Sequence, residues 1–367
     1  MRVTRRSFLR TGAVGLVGAG AVVGAGGVVA AEAPPEARNK RDGMRYRVLG
    51  RTNLLVSELS IGGLQAKAEV ISAALDKGVN LIHSAAGYPG SFDEIAKVLP
   101  DRRNEVFLGL KPVASVDEFK QLLATLKTDR ADIVFHATDK VEDAADANGA
   151  IRQAFAALKD AGLVRFLGLT CHSNVGALAT AAVQAGHWDL IMPRYGMDVR
   201  GEAATAIDQA KEKKVGVLAI KTLANTSGDA MKTAFQTALD KPGVTSVLKG
   251  LPSFELLETL IAAMKERPTA EAQAALWQHI VAQRGTACGM CSKCSVCPQN
   301  IAVEESLVCL LYYDRQLGEP RYAREVYAAL PRSRTVEACQ DCGTCEAACP
   351  NGLPVRRLLR EAHERLV

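Results

Sequence analysis

Gly78-Val79-Asn80-Leu81-Ile82-His83-Ser84-Ala85-Ala86-Gly87-Tyr88 is an apolar strand, 80–83, running into a polar turn. The unit recurs. Between 44 and 265 further candidate strands lie at 58–61, 106–111, 133–136, 165–170, 190–194, 215–220 and 245–249, each followed by apolar residues at helical spacing. Eight strand–helix units imply an α/β fold closed as a parallel (β/α)8 barrel of TIM type, whose helices cover the outer face of the strands. A doubly wound sheet is the alternative. No Gly-x-Gly-x-x-Gly turn follows a strand, which counts against it.

Working outward, 367 residues exceed one ordinary core and suit a barrel with a small appended domain. The expected divisions are a signal peptide (1–31), a solvated linker (32–43), the barrel (44–270) and a C-terminal domain (271–367). The leader reads Thr4-Arg5-Arg6-Ser7-Phe8-Leu9-Arg10 before a Gly/Ala-rich apolar run over 11–31, which matches a twin-arginine export signal. A membrane-spanning helix is the alternative reading, because about 20 apolar residues suffice to cross a bilayer. Its many glycines lower both helix propensity and insertion energy. The expected location is the periplasm or the outer face of the cytoplasmic membrane, with no span in the mature chain unless the signal stays uncleaved. The formal charge of +5 belongs largely to Arg2, Arg5, Arg6 and Arg10 of the leader; the rest balances 41 basic against 40 acidic residues. No basic stripe remains for nucleic acid, so the expected partners are a small-molecule substrate and a redox partner protein.

In a barrel of this kind, chemistry collects at the carboxyl-terminal strand ends. Tyr88, Lys111 and His136 fall there. A tyrosine donates a proton to a carbonyl oxygen when a lysine cation lowers its pKa, and a histidine orients the substrate. Singly, each also reads as a packing or solvated residue. In context they resemble the aldo/keto reductase family. Met44-Arg45-Tyr46-Arg47-Val48-Leu49-Gly50-Arg51-Thr52 is similar to that family's N-terminal hairpin, and Phe107-Leu108-Gly109-Leu110-Lys111 and Asp132-Ile133-Val134-Phe135-His136 resemble the strands bearing its catalytic Lys and His. The resemblance covers about 220 residues. It implies an oxidoreductase with Tyr88, Lys111 and His136 as catalytic residues. It also implies NADP(H), with the nucleotide phosphate near Lys249, Gly250 and Ser253 and the N-terminus of the helix that follows. Departures count against that cofactor. The family's catalytic Asp falls at His83, and its carboxamide-binding Asn and Gln fall near Cys171 and Met192. An exported enzyme also lacks a regenerating nicotinamide pool. Arg194, Tyr195 and Lys221 either contact a ligand or pack the rim. Cys171 with His172 suggests a nucleophile, but a lone cysteine is ordinarily a buried filler.

Nine of ten cysteines lie between Cys288 and Cys349. Cys288-x2-Cys291-x2-Cys294-x2-Cys297-Pro298 and Cys339-x2-Cys342-x2-Cys345-x3-Cys349-Pro350 have bacterial ferredoxin spacing, the first one residue short. On that pattern Cys288, Cys291, Cys294 and Cys349 hold one [4Fe-4S] cluster, and Cys339, Cys342, Cys345 and Cys297 a second. Two four-thiolate zinc sites are the alternative. The interval 301–338 resembles the helical ferredoxin extension that follows the barrel in some aldo/keto reductase-like proteins, and Cys309 within it reads as packed. The expected function is an exported redox enzyme acting on a small carbonyl or hydroxyl substrate with electrons passed through two clusters. The other class is an electron-transfer or binding module on a catalytically degenerate barrel.

Overall fold

A computed structural model describes residues 33–367 apart from 139, 173, 197–199, 224–225, 283–284, 287, 292 and 316–318. The export signal expected at 1–31 lies outside the described residues. Strands β1 (Glu36–Ala37), β2 (Tyr46–Val48) and β3 (Leu54–Ser57) form a small sheet. Strands β4 (Leu59–Gly62), β5 (Leu81–Ala85), β6 (Phe107–Lys111), β7 (Ile133–Ala137), β8 (Phe166–Cys171), β9 (Leu190–Pro193), β10 (Gly216–Ile220) and β11 (Ser246–Gly250) close into a parallel barrel, β11 pairing with β4 and β9 with β10. All eight expected strands are present, each displaced by at most two residues.

Strand alternation sorts each β residue between two environments. Leu81, Phe107, Ile133, Phe135, Leu190, Met192, Leu218 and Ile220 fill the barrel interior. Ile82, Leu108, Val134, Leu167, Ile191 and Val217 pack outward against the helices. The β2–β3 hairpin is antiparallel and sends Leu49, Leu54 and Val56 into the interior cluster, plugging the amino-terminal end. Gly50 fits there because any side chain would collide with the backbone at Gly216, and its φ of 51° suits glycine. In mid-barrel the Phe135 ring takes the space opposite two glycines: a Cβ on Gly168 would lie 2.5 Å from it, and one on Gly109 2.8 Å.

In the linker expected at 32–43, residues 36–39 are docked while 40–43 are exposed. β1 pairs in parallel with β3, and Arg38 reaches under the floor to Asp132 (2.9 Å) and the Val106 carbonyl (2.6 Å). Asp132 is 1% exposed and also meets Arg103 at 3.0 Å, Arg165 at 3.2 Å and the Leu108 amide at 2.9 Å. Charge complementarity around one buried carboxylate thus recruited a segment whose composition reads as solvated.

A second core sits in the C-terminal part. Helices Val303–Leu310, Pro320–Ala328 and Val355–Leu366 bury Leu307, Leu310, Ala323, Tyr327, Leu358, Leu359 and Ala362 together with Cys309. The helix Ala270–Ala282 belongs instead to the barrel, since Leu276 lies in the barrel's outer core with Ile280 against it; the two cores divide after it and not at 270. No helix among the described residues is long and apolar enough to cross a membrane.

Candidate active site

The carboxyl-terminal ends of the strands and the C-terminal part together wall a cavity of about 920 Å³. Tyr88, from the turn after β5, lines it with Lys111, which ends β6 in the inward register of Phe107. The Lys111 Nζ stands 5.2 Å from the Tyr88 ring centre. His83 lies below them, edge-on to Phe135 at 5.1 Å and 6.5 Å from the Tyr88 ring, with both ring nitrogens buried and lacking hydrogen-bond partners. Burial, and then Lys111, hold His83 well below the ordinary imidazole range, so it is neutral at pH 7.

The remaining candidates divide. Lys249 and Gly250 line the cavity, with Lys249 pulled down by burial. The Ser253 hydroxyl is not at the cavity: it caps the helix Phe254–Ala263, accepting from the Leu256 amide at 3.2 Å. His136 also stays away from the cavity. It alternates with Ile133 and Phe135, so it shares the outer face of β7 with Val134 and lies near Asp143 of the next helix, and Ala137 and Thr138 take the mouth instead. The substrate-orienting role expected of His136 is therefore not supported by its place. Cys171 faces the outer core, fully buried, with its thiol pushed up to about 12, so it is a filler. Tyr195 packs in the same core, whereas Met192 lines the cavity.

Lys221 lines the cavity at φ 53°, in the left-handed region. Its Nζ donates to the Tyr312 hydroxyl at 2.6 Å and lies 3.5 Å from the Met290 sulfur. Burial first, and Arg194 next, push Lys221 down to about 8. Tyr312 stacks on Tyr322 at 5.6 Å, and Tyr322 meets Tyr88 edge-on at 6.2 Å. His172 lines the cavity too, kept neutral by burial and by Lys221 and Lys111. His172, singled out in the sequence only as a partner of Cys171, follows a barrel strand and reaches the cavity without it. The sequence reading missed Tyr312, Tyr322 and Glu304, which also line the cavity and sit in helices that only tertiary folding brings to the mouth.

Cys291 lines the same cavity. Its loop and the second cysteine loop share one geometry. The Met290 amide donates to the Cys288 sulfur at 3.3 Å, and the Asp341 amide to the Cys339 sulfur at 3.4 Å; both donors are left-handed, at φ 53° and 57°. After each Cys-Pro, Asn300 and Gly352 take φ 53° and 62°, and their amides return to the carbonyls of Cys297 and Cys349. The short helix Thr344–Ala347 packs on the turn Lys293–Val296, which sets Cys345 near Cys297 and Cys291 near Cys349 in electrostatic reach. Among the described residues no three His, Cys, Asp or Glu side chains converge as for a single ion. Amides aimed at sulfur, and the nearness of Cys345 to Cys297 and of Cys291 to Cys349, fit a pair of four-iron clusters. The 1%-exposed Arg194, whose Nη1 is 3.4 Å from the Met290 carbonyl, adds a cation near Cys288 and Cys291.

No family model and no curated sequence matches the chain. Among solved structures it is similar to a Pseudomonas aeruginosa protein described as an aldo-keto reductase, at 26% identity and TM-score 0.52, over 60% of this chain and 94% of that one. An aldo-keto reductase of Bacillus halodurans in its holo form resembles it in fold at 20% identity and TM-score 0.54, over 65% and 95%; the apo form gives 21% and 0.51, over 64% and 96%. The barrel is thus of the aldo/keto reductase type, an oxidoreductase fold, and a third or more of this chain lies beyond what those structures share.

Proposed function

We propose that this chain is an exported iron–sulfur oxidoreductase of aldo/keto reductase type, acting on a small carbonyl or hydroxyl substrate. One observation carries the reading: Tyr88 and Lys111 on the barrel side and Cys291 on the C-terminal side wall a single cavity. Its volume suits a small molecule. The Tyr88 hydroxyl donates a proton to the substrate oxygen, and the Lys111 ammonium stabilises the tyrosinate left behind. Neutral His83 supplies a hydrogen-bonding ring where the family has a carboxylate, so the positive charge of Lys111 is not offset there. Bound by Cys288, Cys291, Cys294 and Cys349, and by Cys339, Cys342, Cys345 and Cys297, two four-iron clusters would supply or accept electrons singly.

The residues do not fit NADP(H). Cys171 faces away from the cavity, Met192 offers no paired donor and acceptor for a carboxamide, and Ser253 does not line the cavity. Anaerobic titration of the iron-loaded protein with NADPH, following cluster absorption and nicotinamide fluorescence, tests this: neither signal should change, and bleaching of the clusters would refute it. Iron and sulfide near eight atoms each per chain are expected from two cubanes; colourless, iron-free protein after anaerobic purification would end the reading. Export through the twin-arginine route rests on Arg5-Arg6 and is tested by replacing both with lysine, which should hold the chain in the cytoplasm.

The alternative of an electron-transfer module on a degenerate barrel is favoured by His83 and Met192 among the cavity residues, and by Cys171, which faces away from it. A Tyr88→Phe variant that passes electrons to a partner as well as the wild type does would support it.

A further inference from the structure

The cavity holds two tyrosine–lysine pairs, one within the barrel wall and one bridging the two walls. Tyr88 with Lys111 comes from the barrel; Tyr312 comes from the C-terminal part and is bonded to Lys221 of the barrel. The second pair has the closer geometry. Lys221 Nζ donates to Tyr312 Oη at 2.6 Å and lies 4.8 Å from that ring centre. That donation occupies a lone pair of the phenolic oxygen and leaves its proton available to the cavity. Tyr312 lies in a π-helical turn, Leu311–Arg315, which breaks the regular ladder just where the side chain enters the site. Lys221 holds a left-handed backbone that costs free energy for a residue with a Cβ. Two irregular segments from opposite sides therefore meet in one short hydrogen bond.

Resting on the proposed iron–sulfur reading, we infer that Tyr312 is a second proton donor, positioned by Lys221, and that the site performs a two-electron, two-proton reduction without hydride. The balance requires it. A hydride carries a hydrogen with its electron pair, so one further proton completes a carbonyl reduction. An iron–sulfur donor brings electrons only. Then R2C=O takes two electrons and two protons to give R2CHOH: the C=O π bond breaks, an O–H bond forms with the proton of Tyr88, and a C–H bond forms with the proton of Tyr312. Solvent reprotonates both tyrosines. Tyr322, between the two rings, spaces them across the cavity. Lys221 is faced by Arg194, Lys111, Tyr88, Glu304 and Tyr312, so its proton is held between neighbouring cations and one carboxylate.

The first test reads no turnover. In full-length, cluster-loaded, oxidised protein carrying 3-fluorotyrosine, the fluorine resonance lost in Tyr312→Phe is assigned to Tyr312. It should show an inflection near pH 8 as Lys221 titrates. Lys221→Met should abolish that inflection and Lys111→Met should leave it; an inflection that survives Lys221→Met overturns the pair. The second test uses benzaldehyde with dithionite-reduced protein in D2O. Benzyl alcohol should carry one solvent deuteron at carbon, and Tyr312→Phe should lower turnover by about 100-fold or more at unchanged iron content. Wild-type turnover in Tyr312→Phe overturns the donor role. Absence of any wild-type turnover strikes the carbonyl-reduction reading instead, and the fluorine titration still decides the pair.

Discussion

Replacing Asp132 with Asn removes one negative charge from among three guanidinium groups while keeping the side-chain shape. Asp132 is 1% exposed and bonds Arg38, Arg103, Arg165 and the Leu108 amide. Asparagine can still accept from Leu108, so the loss is the charge. Removing one partner of a buried pair costs about 3–5 kcal/mol, because the remaining charge is buried and uncompensated. Arg165, at 40% side-chain exposure, recovers water, whereas Arg103 at 9% does not, which places the cost near the lower end, about 3 kcal/mol. With a urea slope of about 3 kcal/mol per molar for a domain of this size, the midpoint should fall by about 1 M. Trp188, buried in the barrel with its indole N–H on the Ala144 carbonyl, reports that transition by fluorescence. Burial raises the Asp132 pKa, but Arg103 and Arg38 outweigh it and hold it below the ordinary 3.8. A depressed carboxylate contributes fully above its unfolded value and loses that contribution as pH falls through the folded one. The gap between wild type and Asp132→Asn should therefore persist at pH 7 and close only in strong acid. A midpoint shift under about 0.2 M at pH 7 would refute the account of the floor.

Tyr88→Phe should lower turnover about 100-fold or more with iron content unchanged, measured by anaerobic assay and iron determination. His136→Ala should change turnover by less than about threefold, since the side chain lies on the outer face of β7; a loss matching that of Tyr88→Phe would overturn the strand register argument. Cys349→Ser should deplete the cluster served by Cys288, Cys291 and Cys294 and spare the other, so iron should fall by about half; iron loss confined to the cluster of the Cys339 loop would show that ligands are not exchanged between loops.

Strand and helix periods placed all eight barrel strands, because inward and outward burial write an alternating pattern that local sequence carries. The two cysteine runs were legible as a pair of similar loops, since a short turn is a local object. Tyr88 and Lys111 could be picked out at strand ends. His136 could not be judged in the same way: shifting by one residue along β7 exchanges the cavity for the helical layer, and a single sequence does not print that register at a strand's last residue. Ser253 is the helix cap, a role that its place before the helix Phe254–Ala263 already suggests.

By itself the sequence determined the barrel, the paired cysteine loops and the barrel half of the site. Tertiary structure alone decided that the loop carrying Cys291 reaches the barrel mouth, that Tyr312 bonds Lys221 across 91 residues, and that Arg38 reaches Asp132 across 94. Periodicity and spacing are properties of neighbours along the chain. Charge and hydrogen-bond pairing between distant segments depend on which surfaces meet, and only the folded chain settles that.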